Sequence, residues 1–187
     1  MAIRMSKKAG LIVAIAIVAV GAIVGIALSR NFSNPSGSTP QSNNASDLTL
    51  PIITWNETTL STLKGTPLVL NFWSISCPYC RQQLPYLEDA AQQSKGEIKV
   101  IAINMVDNAA SVQNFFGNYE PAMIIALDSN GESFVNYCLV YNNTRGAIPF
   151  TLFVDSEGVI QYVKIGAFAS EAELCDTLHS VFGITVP

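Results

Sequence analysis

The sequence predicts an α/β layered domain with a central mixed sheet, set behind an N-terminal transmembrane helix. Three observations carry this. Apolar runs of strand length alternate with helical-period segments from Asp47 onward. Near the C-terminus two β-rich runs, "FTLFVD" and "VIQYVKIG", flank the short turn "SEG" and read as a hairpin. The window Ala9 to Ser29, "AGLIVAIAIVAVGAIVGIALS", carries no charge. It is long enough to cross a bilayer as a helix, which takes roughly 20 apolar residues.

Taken in order, residues 1–8 are a basic flank with Arg4, Lys7 and Lys8, and residues 9–29 are the anchor. Basic flanks stay in the cytoplasm, so the rest of the chain is expected outside it, on the periplasmic or extracellular side of the cell membrane. A cleaved signal peptide is the rival reading. Its apolar region would be shorter, about 7–15 residues, and "ALS" before Arg30 is a poor cleavage site. Gly21 and Gly25 have the GxxxG spacing that lets two membrane helices approach, but glycine is common in such helices, and a monomer is expected. Residues 30–46 are rich in Ser, Asn, Pro and Gly and form a flexible linker.

The domain then occupies residues 47–187. "LTLPIITWNETTLSTLKG" is short strand material ending in a turn. "PLVLNFW" is a continuous apolar run, as expected of a strand buried on both faces. A helix runs from Pro78 to about Lys95, with proline suited to its first position and Pro85 kinking it within. "IKVIAINMV" is a second buried strand, and "NAASVQNFFGNY" a helix with Val112, Phe115, Phe116 and Tyr119 at suitable spacing. "AMIIAL" is a short strand closed by the turn "DSNG"; no element is assigned between that turn and "FTLFVD". "SEAELCDTLHSVFG" closes the chain as a helix, with Ser170 as N-cap, Glu173 completing a capping box and Gly183 as the stop.

From Asp47 onward, six Lys or Arg stand against fourteen Asp or Glu, a net of −8. No basic cluster occurs there, and phosphate binding needs a positive surface, so no nucleic-acid partner is expected. The four cysteines, Cys77, Cys80, Cys138 and Cys175, all follow the anchor. In an oxidising compartment disulfides persist, and four cysteines allow three full pairings.

Cys77 and Cys80 form a CxxC at a helix start. The helix dipole and the unpaired N–H groups of the first turn favour thiolate over thiol at Cys77. Cys80, one turn on, is close enough to form a disulfide with it. Such a pair can attack a substrate disulfide, form a mixed disulfide and resolve it. A zinc site would need about four ligands, yet the only histidine, His179, lies in the last helix and no second CxxC exists. A structural staple closing so small a loop removes little unfolded-state entropy.

"VLNFWSISCPYCRQQLP" resembles the active-site strand and helix of the TlpA/ResA-like branch of the thioredoxin superfamily. "LSTLKGTPLVLNFW" resembles that branch's lead-in, and "IPFTLFVDSEGVI" its cis-proline strand, turn and strand. The resemblance runs from about Leu48 to the end. It implies a thioredoxin fold and thiol–disulfide exchange outside the cytoplasmic membrane, with a reductase serving a dedicated client slightly favoured over a general oxidase. The implied partners are protein thiol or disulfide clients, with cytochrome c maturation as one setting, and a membrane redox partner. No cofactor and no metal are implied. By position, Cys77 resembles the exposed nucleophile and Cys80 the resolving cysteine. Pro149 resembles the cis-proline, and the backbone of Ile148 would pair with an extended substrate strand. Trp73, Pro78 and Tyr79 complete the expected client-binding surface. Ser76 departs from the tryptophan common before the first cysteine. Gln83 stands where some relatives carry a proton-moving glutamate. A copper-delivery module of the same fold is the alternative, against which CxxC and the remote His179 weigh. The implied topology puts Cys138 and Cys175 on opposite faces of the sheet, so two buried, unpaired thiols are expected rather than a second disulfide.

Overall fold

The computed structural model describes residues 45, 49–50 and 58–186. The basic flank, the expected anchor and all of the linker but Ala45 lie outside them. Among the described residues no helix is long and apolar enough to cross a membrane.

Two short strands, β1 (Thr49–Leu50) and β2 (Thr58–Thr59), pair antiparallel ahead of a 3-10 turn at Leu60–Leu63. The main sheet has five strands: β3 (Leu68–Trp73), β4 (Lys99–Asn104), β5 (Ile124–Leu127), β6 (Phe150–Val154) and β7 (Ile160–Ile165). Their order is β5-β4-β3-β6-β7. β3, β4 and β5 run parallel, while β6 lies antiparallel to β3 and β7 antiparallel to β6. This is the central mixed sheet of a thioredoxin fold.

β3 reads as an unbroken apolar run because both of its faces are covered. Side chains alternate across the pleat. Val69 and Trp73 join one core with Leu84, Leu87, Val112, Leu174 and Leu178. These last come from helices α1 (Pro78–Gln93), α2 (Ala109–Phe116) and α4 (Glu171–Phe182). Leu68, Leu70 and Phe72 join the other core, where Phe72 packs on Phe134, Tyr137 and Phe150 with ring centroids 5.6–6.1 Å apart.

Phe134 and Tyr137 belong to a helix absent from the expected element order: α3 (Glu132–Val140). Its buried residues Phe134, Tyr137 and Cys138 have helical spacing, but exposed Val135, Leu139 and Val140 blur the apolar stripe in the sequence. Its start is also disguised. Asp128, the first residue of the "DSNG" turn, caps it from a distance, accepting from Ser133 N (3.3 Å) and Phe134 N (2.9 Å). Elsewhere the ends follow the expected chemistry. Ser170 accepts from Glu173 N, and Gly183 ends α4 in the left-handed conformation. The capping box is altered, because Glu173 takes Ala169 N–H and Lys164 instead of the N-cap amide. α2 stops at Phe116 with Gly117 as C-cap, so Tyr119 lies beyond it.

Cys138 and Cys175 are unpaired. Cys138 packs in the α3 core and Cys175 against the opposite one, so the sheet separates them. Cys138 is buried, whereas Cys175 is only half-buried. Burial pushes both thiols up, and Glu171 and Asp176 push Cys175 further. Thiolate is the reactive form, so both should resist alkylation in the native protein at pH 7. Mass spectrometry of the oxidised chain, alkylated after denaturation without reduction, should find both thiols labelled. A peptide linking Cys138 to Cys175 would overturn this.

Candidate active site

The C-terminal end of β3 delivers the chain to the CxxC through Ser74–Ser76. Asp107, which nothing in its sequence neighbourhood singles out, fixes this bend. Its carboxylate accepts from Ile75 N (2.9 Å) and from Asn104 Nδ2 (2.8 Å). Asn104 in turn accepts from Val106 N and Asp107 N. The ends of the neighbouring strands β3 and β4 are thus tied together beneath the site. A second tie is Met105 N to Trp73 O, 3.2 Å.

Cys77 is the N-cap of α1 and Pro78 its first residue. Proline has no N–H, so it adds no unpaired donor at a position where none would find an intrahelical partner. The N–H of Cys80 points at Cys77 Sγ, 3.1 Å away. This donor and the helix dipole act on the same sulfur and favour its thiolate when the pair is reduced. Cys77 and Cys80 are joined in a disulfide with Cα atoms 5.3 Å apart. Cys77 is half-buried, and Cys80 is 1% exposed beneath it. The outer sulfur is therefore the one an incoming group can reach.

Across from it, the Ile148–Pro149 bond is cis, and Ile148 O lies 3.8 Å from Cys77 Sγ. The structure thus brings the cysteines together with the Ile148–Pro149 segment. Pro78 and Tyr79 are exposed at the head of α1, Tyr79 by 66%. Trp73 does not join this surface. It is fully buried, because its position on β3 points it into the α1–α2 core, where it packs on Phe115 (5.4 Å) and Phe116 (5.9 Å). With no exposed surface, it forms no part of the expected client-binding surface and supports the site from below.

Beneath the pair lies a neutral polar layer. Thr151 Oγ1 accepts from Asn71 Nδ2 (2.9 Å) and stands 3.4 Å from Gln83 Nε2. Gln83 Oε1 also accepts from Phe168 N, 3.0 Å. Gln83, 1% exposed, is thus a buried brace between α1, β6 and the loop before α4. Burying these amides is tolerable because each has a partner. His179 sits at the other end of the domain's last helix, 3.3 Å from Thr185 Oγ1. Among the described residues, no group of three or more His, Cys, Asp or Glu side chains could hold a metal ion.

Known proteins can be set beside this geometry. The family model described as Redoxin matches residues 40–178. The thioredoxin-like protein YneN of Bacillus subtilis is 25% identical over 147 residues, 77% of this chain and 82% of that protein. The thiol-disulfide oxidoreductase ResA of Oceanobacillus iheyensis is 30% identical over 110 residues, 58% of this chain. That match spans 54% of ResA, about half its length. The crystal structure of StoA from Bacillus subtilis superposes with a TM-score of 0.56 at 23% identity, covering 70% of this chain and 94% of that one, which establishes the fold. With the Redoxin match spanning well over half of its length, the chain belongs to the redoxin family, and with its Cys77–Cys80 pair it is a thiol–disulfide oxidoreductase of the thioredoxin superfamily.

Proposed function

We infer that the protein is a membrane-anchored enzyme that reduces disulfides of protein clients outside the cytoplasm through Cys77 and Cys80. The observation that carries the chemistry is the arrangement of the pair, with Cys77 outermost at the helix start and Cys80 buried behind it. Reduced Cys77 attacks a client disulfide as thiolate. A bond forms between its sulfur and one client sulfur, and the other client sulfur leaves as thiolate. Cys80 thiolate then attacks Cys77 Sγ, which closes the Cys77–Cys80 bond and expels the second client thiolate. Two electrons pass to the client. A membrane redox partner restores the dithiol.

Ile148 offers its backbone to an extended client strand beside Pro149, and Pro78 and Tyr79 line the approach. The apolar window 9–29 and its basic flank support anchoring with the domain outside. The negative charge of the domain speaks against a nucleic-acid partner. Gln83 marks the reductive step as one without a buried carboxylate base at that position. Cytochrome maturation is a fitting setting, since it needs a dedicated thiol reductant.

The test is the reduction potential of the Cys77–Cys80 couple, by equilibration with glutathione or dithiothreitol. A value near about −270 mV or lower fits a reductase, and one near about −120 mV makes the protein an oxidant instead.

A further inference from the structure

The loop between α3 and β6 carries a device that the redox chemistry does not use. Asn143 is 3% exposed, although it lies in a surface connection. Its carboxamide takes both backbone groups of one residue. Oδ1 accepts from Ala147 N and Nδ2 donates to Ala147 O, each at 2.9 Å. Its own backbone is engaged as well, with Asn143 N donating to Cys138 O and Asn143 O accepting from Gly146 N, both 2.9 Å. Gly146 turns there with φ +59°, and a Cβ on it would lie 3.7 Å from the Phe134 ring. The turn is thus closed on itself and seated on the α3 core. Asn142, just before, takes the left-handed conformation (φ 55°) that asparagine tolerates better than most residues.

Ala147 is adjacent to Ile148, whose carbonyl faces Cys77 Sγ. A side chain that satisfies both Ala147 groups does what a neighbouring strand would do for one residue. It fixes the orientation of the next peptide unit. No strand does this here, because β6 begins only at Phe150.

We propose that Asn143 is a positioning residue for client recognition: by clamping Ala147 it sets the backbone of Ile148 at the height and angle at which an extended client strand meets it. This rests on the reading that Ile148 receives the client. Asn143 touches neither sulfur, so it acts on binding of a polypeptide and leaves exchange with a small disulfide alone.

The full chain separates the two. Insulin serves as the polypeptide disulfide, with dithiothreitol as reductant, and dithiobis(nitrobenzoate) serves as the small one. Asn143→Ala should raise KM for insulin about tenfold, since hydrogen bonds of this kind are lost on one side of a buried pair. kcat should hold within about twofold, as should the rate with dithiobis(nitrobenzoate). Asn143→Asp keeps the size and the bond from Ala147 N–H but lacks the donor. With a carboxylate oxygen turned toward Ala147 O in a buried site, it should raise KM at least as much as alanine does, and a cooperative thermal transition above the assay temperature in both variants guards against misfolding. An unchanged insulin KM in both variants overturns the proposal. So does an equal fall with both substrates, which would make Asn143 a merely structural residue. If the parent chain reduces neither substrate, the oxidoreductase reading fails and the proposal falls with it.

Discussion

Cys77→Ser should reduce disulfide exchange by about a thousandfold or more, because a hydroxyl at the helix start is neither acidic enough nor nucleophilic enough to replace the thiolate. Cys80→Ser should do something different. Cys77 would still attack, since its sulfur is the reachable one and keeps both the amide of residue 80 and the helix dipole. Resolution would fail, so mixed disulfides with clients should accumulate. Non-reducing gels of the two variants, expressed in the host and alkylated on lysis, read this directly. Client adducts on Cys77→Ser but none on Cys80→Ser would reverse the assignment of roles.

Glu88→Ala should destabilise the domain by about 2 kcal/mol at pH 7, the order expected when a mostly buried carboxylate that accepts one buried and three partly exposed hydrogen bonds is removed. Glu88 is 7% exposed, on the inner side of α1. Oε1 accepts from Tyr119 Oη, Gln92 Nε2 and Ala122 N, each at 2.8 Å, and Oε2 from Met123 N at 3.2 Å. One carboxylate thus holds the connection from α2 into β5 against the active-site helix. Burial by itself pushes the Glu88 carboxyl up. The Ala122 amide, Gln92, Tyr119 and the Met123 amide together outweigh it and hold the group below its ordinary value. A depressed acid contributes stability that is present above its unfolded pKa and is lost as pH falls through the folded one. The difference between parent and Glu88→Ala should therefore be full at pH 7 and shrink as the pH drops below about 4. Urea denaturation of both proteins across that range measures it. A constant difference at all pH values would mean that packing alone, and not the ionised carboxylate, is lost.

Much of the site was legible because its chemistry is local. The CxxC, the proline after Cys77 and the helix start are contiguous, and helix capping is a matter of neighbours. The strands of the main sheet were legible because burial on both faces makes their sequences uniformly apolar. The contacts that the sequence does not display are of two kinds. Asp107 reaches Ile75 and Gln83 reaches Phe168 across long stretches of chain, whereas Asp128 is a near neighbour whose cap is masked by an intervening turn. α3 was hidden for a different reason. Its outer face carries Val135, Leu139 and Val140, exposed apolar residues that erase the contrast between the two sides. Trp73 was misplaced because nearness in sequence to Cys77 does not settle direction. On a strand covered on both faces either parity leads into a core, and that of Trp73 leads into the one beneath α1 and α2.

The Asn143 turn also bears on how the site can vary. Three of its hydrogen bonds close on Gly146 and Ala147, within the turn itself. A segment whose backbone is satisfied from within makes few demands on β6, whose register against β3 is set by its own ladder. Substitutions in the turn are therefore expected to change what meets Ile148 while the electron-carrying pair stays unaltered.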